Sequence, residues 1–149
     1  MKNSFLQIER NPKATVWKHI ARWLLGLSLI YAGYSHLTFN RTEFLAQVPN
    51  WLPMDPDFVV VASGVVEIVL GLSLLFLVSQ RIWVGYLVGL FFIIIFPGNI
   101  AQYMNGIDAF GLNTDKARLI RLFFQPVLVL WVLWSTGALQ HWRENIIEK

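Results

Sequence analysis

The sequence predicts an all-α polytopic membrane protein: an antiparallel four-transmembrane-helix bundle with both termini cytoplasmic. Three observations carry this. Of 149 residues, 56% are hydrophobic and only 14% charged, which is too apolar for a water-soluble domain of this size. The apolar residues gather in four windows, at about residues 16–38, 58–78, 82–101 and 119–139, each close to the roughly 20 residues a helix needs to cross about 30 Å of hydrocarbon. The small and polar residues inside those windows recur at alternating spacings of three and four, the seam of a left-handed bundle. Backbone groups in lipid must be paired within the chain, so the spans are helices of one domain. The run Leu90-Phe91-Phe92-Ile93-Ile94-Ile95-Phe96 lacks the alternation a barrel strand would show.

The basic residues sit at span ends. Lys2, Arg10, Lys13, Lys18 and Arg22 precede or open the first span, Arg81 lies between the second and third, and Arg143 and Lys149 follow the fourth. The opposite side holds Arg41, Lys116, Arg118 and Arg121. By the positive-inside rule both termini face the cytoplasm. The net charge of +3 is thus topological and calls for no nucleic acid. The first span has a long apolar core and no small-residue cleavage site after it, so it reads as a retained anchor. The polar stretch up to Thr15 is expected on the inner membrane surface, with Thr15 capping the first helix.

The first outer connection is long. Within it, residues 42–48 read as a short helix capped by Thr42, after which Pro49, Pro53 and Pro56 forbid a continuous helix. With Trp51, Leu52 and Met54 between the prolines, this segment reads as a lid dipping into the interface. The link Ser79-Gln80-Arg81 is so short that the second and third helices are expected to form an antiparallel hairpin. Asn105-Gly106 and Gly111 mark turns in the second outer connection, and Asn113-Thr114-Asp115 offers caps for the fourth helix. The tail from Gln140 is polar and, on this topology, cytoplasmic. Leu25-Gly26-Leu27-Ser28-Leu29-Ile30 echoes Leu70-Gly71-Leu72-Ser73-Leu74-Leu75, a match the restricted alphabet of membrane helices produces without an inverted repeat.

The four stripes are Arg22, Gly26, Leu29, Gly33, His36; Val60, Gly64, Glu67, Gly71, Leu74; Gly85, Gly89, Phe92, Phe96, Asn99, Tyr103; and Arg118, Arg121, Gln125, Leu128, Val132, Ser135. The glycines read as packing, allowing backbones to approach. The polar groups need another account, because ionisable and amide side chains at membrane depth are costly unless they face one another, water or a ligand. At 1.5 Å per residue Glu67 lies about 13 Å below the outer end of its helix, near the midplane, and Gln125, Asn99 and His36 lie nearer that end. These groups fall in the outer half, where a pocket would collect them. Pocket candidates are His36, Glu67, Asn99, Arg121 and Gln125, with Tyr34, Phe96 and Tyr103 as aromatic walls. Arg121 is the expected partner of Glu67, with Gln125 one turn away as a bridge. The competing reading is an internal network that only fixes the bundle. Pro97 and Pro126 fall beside Asn99 and Gln125, where each leaves a carbonyl unpaired and can kink its helix.

The chain has no cysteine, which excludes thiol–disulfide chemistry, a thiolate metal site and an iron–sulfur cluster held by this chain. His19 and His141 lie in polar surroundings that do not suit haem, and no dense His/carboxylate cluster points to a metal. No covalently bound cofactor is expected.

Several segments, taken in order, resemble the DoxX-like family of small four-helix membrane proteins. They are Ala32-Gly33-Tyr34-Ser35-His36, Val48-Pro49-Asn50-Trp51-Leu52-Pro53, Ser63-Gly64-Val65-Val66-Glu67 with Gly71, Phe96-Pro97-Gly98-Asn99-Ile100, and Arg121 with Phe124-Gln125-Pro126. The match runs from about Trp23 to Trp134. The resemblance implies a four-helix bundle in the bacterial inner membrane. Some members of that family belong to thiosulfate–quinone oxidoreductases, others are linked to oxidant, quinone or catechol resistance, and distant animal relatives assist assembly of nicotinic receptors. No catalytic motif carries over.

These readings lead to an expectation: a binding subunit for a lipophilic, quinone-like molecule in membrane redox or oxidant defence, with His36 or Arg121 donating to a quinone oxygen and Glu67 relaying a proton. The expected partners are membrane lipid, an oxidoreductase subunit and a second copy of the chain. The alternative is a non-enzymatic accessory or assembly factor for a larger membrane protein.

Overall fold

The computed structural model describes residues 12–147, and every element among them is helical. Four long helices, α1 (Pro12–Leu37), α3 (Pro56–Phe76), α4 (Arg81–Met104) and α5 (Asp115–Thr136), are joined by short α2 (Arg41–Leu45) and a 3-10 turn (Val78–Gln80); α6 (Ala138–Trp142) and a π-helical turn (Arg143–Ile147) follow. The expected surface position of the N-terminal residues lies outside the described residues.

The segments Pro56–Phe76, Val78–Met104 and Asp115–Thr136 are long and apolar enough to cross a membrane, with mean hydropathies of 2.4, 2.0 and 1.6. Their outward residues are bare hydrocarbon: Phe76, Ile94 and Phe123 are more than half exposed. Monomeric soluble proteins rarely expose apolar surface this extensive. The chain has the exterior of a membrane protein. α1 is long enough to span, but Arg22, Ser28, Ser35 and His36 dilute its hydropathy.

Helix boundaries follow local chemistry and differ from the sequence reading at several ends. α1 begins at Pro12, which suits the first helical position because its missing N–H would be unpaired there anyway. Thr15 is therefore inside the helix and is not its cap. α2 begins at Arg41 after Asn40, so Thr42 is not a cap either. Pro56 opens α3, with the Asp55 side chain accepting from Asp57 N–H; the proline read as a breaker is a starter. α5 starts at Asp115, four residues before the expected 119, because Thr114 Oγ1 accepts from the Ala117 N–H at 3.2 Å. It stops at Thr136, three residues before the expected 139, where Gly137 takes φ 82°.

The tightest packing is α1 against α3, and two glycine pairs set it. A Cβ at Gly33 would sit 2.5 Å from the Gly64 carbonyl oxygen, and one at Gly71 would sit 2.6 Å from that of Gly26. Only glycine permits so close an approach. The pairing is symmetric: Gly26 faces Leu75 as Gly71 faces Ile30, and Gly33 faces Ile68 as Gly64 faces Leu37. The echoed hexapeptides thus lie face to face across a local two-fold axis. α4 packs on α5 in the same antiparallel sense, with Gly85 against Thr136 and Gly89 near Leu133.

α3 and α4, expected to pack as a hairpin, are joined by the short turn but touch only sparsely. The molecule is better described as an α1–α3 pair set beside an α4–α5 pair. A shared core of Leu25, Leu29, Leu74, Val84, Val88, Phe92 and Val132 joins them.

Candidate functional site

At the end of the molecule where α1 finishes, two polar groups are buried beside each other and separated by two phenylalanines. The first is built by α1 and α3. The glycine pairs set His36 of α1 against the face of α3 that carries Val60, Ser63, Gly64 and Glu67. His36 Nδ1 lies 3.0 Å from Ser63 Oγ and 3.3 Å from the Val60 carbonyl oxygen. Ser63 Oγ donates to that same carbonyl at 3.0 Å, so it offers a lone pair to the imidazole. Nδ1 thus faces two acceptors and carries a hydrogen. Nε2 lies 3.3 Å from Glu67 Oε2. The two atoms approach without hydrogen-bond geometry, which leaves Glu67 Oε2 buried and without a hydrogen-bond partner. Both residues are about 6% exposed. The Phe44 ring, on α2, covers the imidazole with a centroid separation of 3.3 Å.

The second group is built by α4, α5 and the chain after α2. Asn99 is its hub. Its Nδ2 donates to Gln125 Oε1 at 3.1 Å, while its Oδ1 accepts from Arg121 Nε at 3.3 Å and Gln47 Nε2 at 3.4 Å. Gln47 Nε2 also donates to Gln102 Oε1 at 2.8 Å, and Gln102 Nε2 donates to the Ile107 carbonyl at 3.2 Å. Gln125 Nε2 donates to the Phe92 carbonyl at 2.7 Å, one residue before Ile93, whose carbonyl Pro97 leaves without a helical donor. Gly98 lets the Gln47 backbone come close: a Cβ there would meet the Gln47 carbonyl oxygen at 2.8 Å.

Phe44 and Phe110 join the groups edge to face, with ring centroids 4.7 Å apart. The Arg121 guanidinium lies over Phe110, 5.0 Å from its centroid, within cation–π range. Phe110 N–H donates to Glu43 Oε2 at 2.7 Å, tying the second connection to α2. Arg118, on the same face of α5 as Arg121, is buried against Asp108, Asp115 and the Leu112 carbonyl at 2.7, 2.9 and 2.9 Å; it holds the Asn105–Thr114 loop onto α5. Arg41 forms a two-point pair with Asp57, which anchors α2 to the first turn of α3. Donating to the Asp57 carboxylate raises the Arg41 pKa above its ordinary value.

The structure therefore brings His36, Glu67, Asn99, Arg121 and Gln125 to one end, with a different pairing from the expected one. Glu67 meets His36, not Arg121, and Gln125 binds Asn99 and the Phe92 carbonyl without bridging to Glu67. Phe96 and Tyr103 are half-buried. Tyr34 is 56% exposed and faces outward beside Phe39, so it lines no interior. Trp51 and Met54 of the proline-rich segment are exposed. Ser63, Gln47, Gln102, Phe44 and Phe110 join the cluster without having been singled out. Ser63 and Gln102 could have been found by stepping three or four positions from Glu67 and Asn99; the other three come from connections that carry no periodicity.

Cavities of about 360 and 470 Å³ lie at the opposite end, around Trp134. No curated protein and no solved structure matches the chain. A family model matches residues 25–136, the stretch that holds both glycine pairs and the whole polar cluster, and the chain belongs to that family, described as a domain of unknown function (DUF8561).

Proposed function

We propose that the chain is an inner-membrane protein of four spans, α1, α3, α4 and α5, with both termini cytoplasmic, and that it binds a quinone-like lipophilic molecule at the His36–Glu67 pair. The observation that carries this reading is a buried carboxyl oxygen, without a hydrogen-bond partner of its own, 3.3 Å from a buried imidazole beneath an aromatic ring borne on a five-residue helix. Phe44 occupies the place a flat aromatic ligand would take. α2 is tied by Arg41–Asp57 and Glu43–Phe110, and a ligand entering here would displace the Phe44 ring from His36. A quinone ring stacked on His36 would then have a proton donor beside its oxygen. The electrons would come from a partner oxidoreductase subunit, since this chain supplies none. The resemblance to DoxX-like proteins agrees with a role in redox or oxidant defence.

The test is chemical. Protein purified from native membranes is extracted and its lipids identified, and ubiquinone or menaquinone is added to delipidated protein. A copurifying quinone, or a raised Tm that Phe44→Trp abolishes by filling the site, supports the reading. Absence of both sinks it.

A second reading has its own support. The Asn99 cluster spends its hydrogen bonds internally, as a network that only fixes a fold would. On that reading the protein is an accessory or assembly subunit. Crosslinking in membranes would then recover one stoichiometric partner, and Glu67→Gln would leave that recovery unchanged.

A further inference from the structure

The end of the molecule opposite the polar cluster carries two cavities that meet at one side chain. The first, about 360 Å³, is lined by Lys18, Trp134, Leu139, Gln140, Arg143 and Glu144. The second, about 470 Å³, is a wholly apolar groove between α1 and α5, lined by Trp17, Ile20, Ala21, Leu24, Trp131 and Trp134. Trp134 belongs to both. Lys18 Nζ lies 6.0 Å from the Trp134 ring centroid, which puts the ammonium where the polar cavity joins the groove. Trp131 Nε1 donates to the Ala21 carbonyl at 3.0 Å, and this bond fixes the groove wall across the two helices. In the polar cavity the Glu144 carboxylate is engaged by Gln140 Nε2 at 2.8 Å, while Lys18 and Arg143 present two positive charges.

An apolar groove that ends in a chamber of net positive charge, Lys18 and Arg143 against the Glu144 carboxylate, is the negative image of an amphiphile with an anionic head. A soluble anion would leave the groove unused, and a zwitterionic lipid would not repay two cations. We propose that this site holds one anionic phospholipid, its phosphate between Lys18 and Arg143 and one acyl chain along the Trp17–Leu24–Trp131 groove. On the four-span topology, on which this rests, the site opens to the cytoplasmic leaflet. It is independent of any quinone.

Full-length protein in detergent is titrated separately with phosphatidylglycerol, phosphatidylcholine and inorganic phosphate, and binding is read by native mass spectrometry and by Tm. Phosphatidylglycerol is retained and raises Tm at concentrations where the other two do neither. Lys18→Gln combined with Arg143→Gln weakens that retention by roughly tenfold to thirtyfold, the loss expected for two basic side chains near an anionic headgroup. Lys18→Arg with Arg143→Lys keeps it, as does Lys116→Gln at the other end of the molecule. Equal retention of both lipids by the wild-type protein overturns the proposal. So does phosphate matching the lipid, or a loss in Lys116→Gln equal to that of the double variant. Should the double variant not fold, the wild-type lipid comparison decides by itself. A quinone effect without phosphatidylglycerol selectivity would sink this site and leave the His36–Glu67 reading standing.

Discussion

His36 and Glu67 meet across the α1–α3 interface, Nε2 to Oε2 at 3.3 Å, while the other ring nitrogen faces two oxygens of α3. Each side chain is thus the other's ion-pair neighbour, and each loses that neighbour when its partner is replaced by leucine. His36→Leu strands a buried carboxyl, and Glu67→Leu strands Nε2; each is expected to cost about 1–3 kcal/mol. The double substitution removes both polar groups together and should cost less than the sum by about 1–2 kcal/mol. Glu67→Gln keeps a hydrogen-bonding group opposite the ring and stays near wild-type stability. A double-mutant cycle read by reversible unfolding in mixed micelles measures the coupling. Additive costs would mean that the two residues are neighbours without being partners.

The glycines of the two helix pairs are not equivalent, and the difference sets opposite outcomes for one substitution. At Gly33 a Cβ would lie 2.5 Å from a backbone carbonyl of α3, which cannot yield without separating the helices. Gly33→Ala is therefore expected to destabilise by about 1–3 kcal/mol, as overpacking does. At Gly89 the nearest atom would be a Leu133 methyl at 3.5 Å, an ordinary contact. Gly89→Ala should be neutral or stabilising by up to about 1 kcal/mol, through the better helix propensity of alanine. The comparison of the two variants under the same unfolding protocol checks the α1–α3 geometry directly.

Asn99 gathers hydrogen bonds from α5 and from the segment after α2, so its loss and the loss of Gln47 should read differently. Asn99→Ala removes the hub and leaves Gln125, Gln47 and Arg121 short of partners, at a cost of roughly 2–4 kcal/mol. Gln47→Ala removes only the tether of the first connection to α4. Its signature is faster hydrogen exchange and proteolysis across residues 46–55, with the spans unaffected. Global destabilisation by Gln47→Ala as large as that by Asn99→Ala would show that the connection is part of the core.

The contrast between stripes and connections explains what could be read from the sequence. The stripe Val60, Gly64, Glu67, Gly71, Leu74 is the set of buried residues of α3, because packing two helices along their length imposes a repeat that the side chains must obey. Which polar residue meets which depends on the axial register between helices, and periodicity does not carry register. The glycines do. Pairing Gly26 with Gly71 and Gly33 with Gly64 brings His36 onto Gly64, one turn from Glu67, and excludes Arg121 as the nearer partner. Phe44, Gln47 and Phe110 lie in connections where no repeat operates, so their place between the two polar groups follows only from the folded chain.

Phe110 supplies a test of that wedge. Its φ of 56° lies in the left-handed region, alone among the described non-glycine residues, and it is held there by Phe44 on one side and Arg121 on the other. A Cβ in this region costs on the order of 1 kcal/mol that glycine does not incur. Phe110→Ala loses the ring contacts and keeps the strain; Phe110→Gly loses the same contacts and sheds it. Phe110→Gly should therefore be the more stable of the two by about 0.5–1 kcal/mol, the reverse of the order expected at an ordinary loop position, where added glycine entropy favours alanine. Unfolding midpoints of the two variants decide the sign, and an alanine variant at least as stable as the glycine one would rule out a strained Phe110.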